Sequence, residues 1–331
     1  MTTQQTLAEY CQGFKHSSAA WPHLPLSDDI SIDWWRELLA EEPSGVLDGD
    51  RLVTTLQLAL PQLRLPQRSG ISKSEQYRAL VLRGEAEKPG ELEPLGPLPV
   101  WRERGAISLK VVEHPCGAMP VLQTPCWPDF LMLVRALAHR CEPATLAKGV
   151  HAQGVSGLIH WGLIRRLGPK SRAALIVLHV APYGSVHASQ VPGCPDEACW
   201  LDASTTLRLE HELTHLATKR LLGEMRLNLL DELIADAMGM IASLGSFHAS
   251  LFCSCLGLDE AGRPEPGKRW QTYVQSLKYD DALQAIHYVV ERAQELEAVF
   301  KANLSLLRPE FSMARLEWLC RQRLDHPITE Q

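Results

Sequence analysis

The chain has 331 residues, 45% hydrophobic and 22% charged, with a formal net charge of -6 and a pI near 6.1. That composition suits a globular chain with a buried core, and its acidic balance argues against nucleic acid or an anionic membrane as the main partner. Nine cysteines, odd in number and irregularly spaced, read as reduced thiols and not as a disulfide framework.

Met1-Thr2-Thr3-Gln4-Gln5 has neither the basic start nor the apolar core of a secretory signal. The longest apolar run, near Ala173 to Ala181, is too short to span a bilayer. A cytoplasmic protein is therefore expected. Residues 31–41 are predicted to be a helix carrying Trp34, Trp35, Leu38 and Leu39 on one side, with Asp28, Asp29 and Ser31 as capping oxygens. Residues 52–65 are apolar, of undecided type, and end at Pro66. A Pro-, Gly- and Glu-rich stretch follows. The expected organisation is an N-terminal region 1–83, a linker or long loop 84–100, and a main domain 101–331.

Beyond that stretch, residues 106–112 read as a strand. Residues 128–140 read as a helix with Pro in its first turn, and 155–167 as another closed by Gly168. Residues 173–181 form a short, nearly continuous apolar run, expected as a buried sheet strand. The segment 182–198, rich in Gly, Ser and Pro, reads as a loop or edge; within it, 183–188 is a candidate edge strand for pairing an extended peptide backbone. A long helix capped by Asp202 or Ser204 and ended by Gly223 comes next, with Leu209, Leu213, Leu216 and Ala217 on its core side. Helices over 224 or 228 to 244, 280–303 and 309–323 complete the chain. The expected class is α+β: a small mixed sheet, then consecutive helices.

The long helix carries His211-Glu212-Leu213-Thr214-His215, and Glu232 and Asp236 follow on the next helix. Residues four apart share a helix face, so both imidazoles can meet at one point, as a divalent metal requires of its first two ligands. Glu212 is placed to reach a water on that metal without being a ligand. Glu232 supplies a third donor, and Asp236, one turn later, can accept the outer N–H of a ligand His, His211 by preference. The segment between Leu216 and Gly223 holds no third His, which speaks against the metzincin arrangement.

His211-Glu-Leu-Thr-His215 followed by Asp231-Glu-Leu-Ile-Ala-Asp236 resembles the gluzincin branch of zinc metallopeptidases, the thermolysin-like enzymes, over roughly residues 173–244. The resemblance implies a zincin-like fold, with His211, His215 and Glu232 as Zn2+ ligands, Glu212 as general base and Asp236 as partner of a ligand His. It implies hydrolysis of a peptide or peptide-like substrate. The absence of an export signal suggests one dedicated intracellular peptide or precursor. An oxyanion needs a further donor; Tyr183 and His287 are preferred, with His187, Tyr288 and His326 also suited by chemistry. Two His and one carboxylate also suit Fe2+, so a non-haem iron oxygenase is the alternative, and a non-catalytic binding domain a second one. Cys194, Cys199, Cys253 and Cys255 lack the spacing of a structural zinc site and read as free thiols.

Overall fold

The computed structural model describes residues 4–15, 20–40, 47–86, 95–146 and 149–328. In chain order its helices are α1 (Leu7–Cys11), α2 (Ile32–Leu39), α3 (Gly49–Ala59), α4 (Glu75–Tyr77, continued by a π turn to Leu82), α5 (Trp127–Leu137), α6 (Trp161–Leu167), α7 (Glu197–Leu222), α8 (Leu229–Leu244), α9 (Ala249–Leu256), α10 (Trp270–Tyr273), α11 (Tyr279–Ala302) and α12 (Ser312–Cys320). The strands are β1 (Leu47–Asp48), β2 (Ser108–Val112), β3 (Met119–Thr124), β4 (Ala152–Leu158) and β5 (Ala173–His179). They form one mixed sheet in the order β1-β2-β3-β5-β4, in which only β3 and β5 run parallel. Among the described residues every strand of the sheet precedes α7, and helices with one isolated bridge, Leu258 to Pro264, follow, so the class is α+β. No helix among the described residues is long and apolar enough to cross a membrane.

Two compact units are formed, one of Met1–Leu24, Ala147–Gly149 and Ala181–Gln331, the other of Pro25–Leu146 and Val150–Val180. This division differs from the expected break at residues 84–100. The reason is pairing: Leu47 lies opposite Leu109 and Asp48 opposite Ser108, so chain from both sides of that stretch shares one sheet. The centre of the expected linker, 87–94, lies outside the described residues.

The second unit holds the sheet. Its core joins Trp35 of α2, Leu52 and Leu56 of α3, Phe130 and Leu133 of α5, and Leu175 and Val177 of β5, all buried. Burying this apolar surface is what drives these amphipathic segments together. β5 is buried at all but one position, as its continuous apolar run requires. The single helix expected over 155–167 is instead β4 followed by α6. Gly157, at φ +68°, falls in a register shift between Val155 and Leu158, a conformation glycine adopts without a Cβ clash. His160 then starts α6, its Nδ1 accepting the Leu163 N–H at 3.1 Å.

The first unit holds the long helices. α7 starts earlier than expected, because Asp196 and not Asp202 or Ser204 caps it, its carboxylate accepting the Cys199 N–H at 2.8 Å. Gly223, at φ +75°, ends it as predicted. Asn228 caps α8 through the Asp231 N–H at 3.0 Å. α8 is buried from Leu229 to Ile241 and packs along α7. Its Gly239 is the point of closest approach: a Cβ there would sit 2.6 Å from the Leu207 carbonyl oxygen. The candidate edge strand over 183–188 is not a strand. Two 3-10 turns, Tyr183–Ser185 and Ala188–Gln190, occupy the segment, with Gly184 at φ +61° breaking any extended run.

Candidate metal centre

The i, i+4 spacing on α7 turns His211 and His215 to the same side, and both are buried. α8 runs back along that side and delivers Glu232, 1% exposed, and Asp236, fully buried. His211 Nε2 and His215 Nε2 lie 3.0 Å apart. His215 Nε2 is 3.3 Å from Glu232 Oε1, and His211 Nε2 is 3.6 Å from Glu232 Oε2. His211, His215 and Glu232 thus gather one ligand atom each within 4.8 Å of one another. Tetrahedral zinc with bonds of about 2.0–2.1 Å separates its donors by roughly 3.3–3.4 Å, a value that lies inside the 3.0 to 3.6 Å these three residues offer.

The tautomers point the same way. His211 Nδ1 lies 2.7 Å from Asp236 Oδ1. An ionised carboxylate only accepts, so the proton sits on Nδ1 and the Nε2 lone pair faces inward. His215 turns its Nδ1 toward Asp231 Oδ1 at 3.3 Å, and both atoms are buried without a well-aligned hydrogen bond. With that ring also protonated at Nδ1, two nitrogen lone pairs and a carboxylate oxygen converge on one buried point. Such a convergence of acceptors calls for a cation. Charge gives an independent check. Asp231, Glu232 and Asp236 are three buried carboxylates, and Arg269 is the cation that touches Glu232 and Asp236. Buried carboxylates therefore outnumber the guanidinium beside them, and a bound cation would add to the positive charge they face. The residues present therefore fit a zinc-type site.

Around the donors is a framework that no motif spacing announces. Arg269, just before α10, places Nη2 2.5 Å from Glu232 Oε2 and Nη1 3.4 Å from Asp236 Oδ2. Its guanidinium lies between the Tyr183 and Tyr273 rings, 5.3 and 5.5 Å from their centroids, and Nε donates to the Tyr273 hydroxyl at 2.8 Å. Burial alone would raise the carboxyl pKa values, but Arg269 above all, then the neighbouring His side chains, holds those of Glu232 and Asp236 below the ordinary range. Burial works against charge on His215 as well, yet Asp231 and Glu232 raise its pKa well above the usual value. The N-terminus of α8 is pinned from α1: the Tyr10 hydroxyl accepts the Leu229 N–H at 2.9 Å and donates to the Tyr273 carbonyl at 3.2 Å.

Tyr183 is brought into the site, but not as an oxyanion donor. Its hydroxyl donates a short hydrogen bond to Asp236 Oδ1 and lies 3.2 Å from His211 Nδ1, on the ring edge away from Nε2. Its backbone N–H donates to Ser204 Oγ at 2.9 Å, which explains the turn that a strand was expected to fill. Burial pushes its phenol pKa well up, keeping it a neutral donor. His287 is not brought in: it stands on the open side of α11, 64% exposed, 3.3 Å from Glu291. Glu212 is half-buried one position after His211 and makes none of the hydrogen bonds of the cluster. Its charge acts on Arg208, one turn earlier, whose guanidinium donates to the Ala181 and Pro182 carbonyls and whose pKa burial lowers to about 10.

A family model described as a family of unknown function (DUF7005) matches residues 2–174 and 170–328. No curated protein and no solved structure matches the chain.

Proposed function

We propose that this chain, which belongs to the family of unknown function DUF7005, is a zinc-dependent hydrolase of amide bonds with a zincin-like pairing of α7 and α8. The observation that carries the reading is the convergence of His211 Nε2, His215 Nε2 and the Glu232 carboxylate, with the outer His211 nitrogen held by Asp236. The H-E-x-x-H helix followed by a glutamate helix supports the gluzincin branch over other zinc hydrolases. The substrate class proposed is a peptide or peptide-like amide.

A zinc ion in this site would supply Lewis acidity, lowering the pKa of a coordinated water to about 7 and polarising the scissile carbonyl. The protein's own part is positioning and proton transfer. Asp236 fixes the His211 tautomer, and Tyr183 and Arg269 fix Asp236. Arg269 engages Glu232 Oε2, which orients the carboxylate so that Oε1 faces His215. Glu212, outside this network, is free of the structural hydrogen bonds that would tie it down. It takes a proton from the attacking water and returns it to the leaving nitrogen.

The test is hydrolysis of a peptide library by the zinc-loaded protein beside Glu212→Gln. The variant is expected to retain the metal and to lose activity by about 100-fold or more. Undiminished cleavage by Glu212→Gln would remove the general base from the scheme. Rapid digestion of unrelated unfolded proteins would refute a dedicated substrate. Bound iron in place of zinc would turn the same ligands toward oxygen chemistry.

A further inference from the structure

Away from the metal centre, Cys194 and Cys199 bring their sulfurs together. Cys199 sits in the first turn of α7, and its thiol donates to Cys194 Sγ at 3.0 Å. Both are free thiols, Cys194 buried and Cys199 half-buried. A disulfide needs its sulfurs at about 2.05 Å, so roughly one ångström of closure separates the pair from a bond. The intervening chain is Pro195-Asp196-Glu197-Ala198, and the Asp196 cap already folds it back on itself. We propose that Cys194 and Cys199 form a reversible two-electron redox site, a disulfide that fastens the segment before α7 to the helix's first turn.

The step balances with a low-molecular-weight disulfide as oxidant, oxidised glutathione being the probe. The Cys199 thiolate, the more accessible of the two, attacks one sulfur of the oxidant. A mixed disulfide forms on Cys199 and one glutathione thiolate leaves. Cys194 then loses its proton and attacks Cys199 Sγ, forming the Cys194–Cys199 bond and releasing the second glutathione. Two thiols are oxidised and one glutathione disulfide is reduced to two thiols. Cys194 is suited to the second step and not the first: burial, then the Cys199 thiol, pushes its pKa up to about 11.

Selectivity follows from the surroundings of other cysteines. Burial raises the thiol pKa of Cys11 and Cys253 to about 11, and of Cys141 to about 12, while Cys255 and Cys320 are pushed higher still. Buried thiols of this kind react slowly. The proposed metal ligands are His and Glu, so a thiol oxidant leaves them untouched. The segment that the disulfide would fasten also carries Tyr183, Trp200 Nε1 being bonded to the Val186 carbonyl at 2.8 Å between the two.

The experiment equilibrates the full chain, with its metal, in glutathione buffers of increasing oxidised fraction, blocks remaining thiols by alkylation, and maps tryptic peptides by mass. Arg172 and Arg208 bound one tryptic peptide that holds Cys194 and Cys199 and no other cysteine. It is expected to escape alkylation and lose two hydrogens, about 2 Da, at ratios where the other cysteine peptides are still alkylated. Reduction with dithiothreitol should restore both sites. Cys194→Ser should trap glutathione on Cys199, and Cys199→Ser should leave Cys194 unmodified. Full alkylation of both residues in the most oxidising buffer would overturn the proposal. A persistent glutathione adduct on Cys199 of the unaltered protein would do so too, because it would show that the second thiol does not close the ring.

Discussion

At the scale of single residues, the site separates groups that hold from groups that act. Asp236 accepts from His211, Tyr183 and Arg269 and is fully buried, and in the proposed site it fixes the His211 ring. Asp236→Asn should lower zinc affinity by about 10- to 100-fold, read by competition with a chromophoric chelator; unchanged affinity would mean that the ring is held by packing alone. Glu212 contrasts with it, lying outside the bonded network. The motif made the gathering of His211, His215, Glu232 and Asp236 legible in the sequence, because i, i+4 spacing on a helix is a direct statement about direction. Arg269 and Tyr273 carried no such statement. Arg269 stands 33 and 37 positions after the carboxylates it engages, Tyr273 follows it by four, and chain folding alone brings them there. Tyr183 was legible as a site residue but not in its role, which depends on which ring edge its hydroxyl meets.

At the scale of elements, a helix end was legible where one glycine stood alone, as with Gly223, left between 224 and 228 for α8, which Asn228 caps, and misplaced where several capping residues competed, as at the start of α7. β4 and α6 merged into one expected helix because the apolar residues from Val155 onward suit either period; the Gly157 irregularity lies within β4, and the His160 cap starts α6. Two predictions belong here. Gly239 lets α7 and α8 touch, so Gly239→Val should force the helices apart, costing about 1–3 kcal/mol and weakening zinc binding; denaturant unfolding with and without zinc checks both. His160 starts α6 as a buried, neutral ring whose pKa burial lowers from 6.5 to about 4. The unfolded chain therefore takes up the proton first as pH falls. The stability linked to His160 is complete above pH 6.5 and is lost on descent to about pH 4, a change of about 3 kcal/mol. His160→Asn keeps a cap for Leu163 and should flatten this part of the pH profile, measured as unfolding free energy at pH 7 and 4.5. An unchanged slope would place the acid sensitivity elsewhere.

At the scale of the whole molecule, the chain crosses between its two units more than once, which is why composition failed to locate a boundary. β1 and β2, from either side of the Pro- and Gly-rich stretch, pair in one sheet. All proposed metal ligands and their supports lie in the unit that contains α7 and α8, whereas the sheet lies wholly in the other. Three buried carboxylates and one guanidinium are what the proposed cation would sit among. The most direct measurement is metal content by mass spectrometry, on protein purified without chelators or metal-affinity resin, beside Glu232→Ala. About one zinc per chain, lost in the variant, is the predicted result. Protein that holds no metal even after zinc or iron is supplied, or a variant that keeps its full complement, would contradict the account.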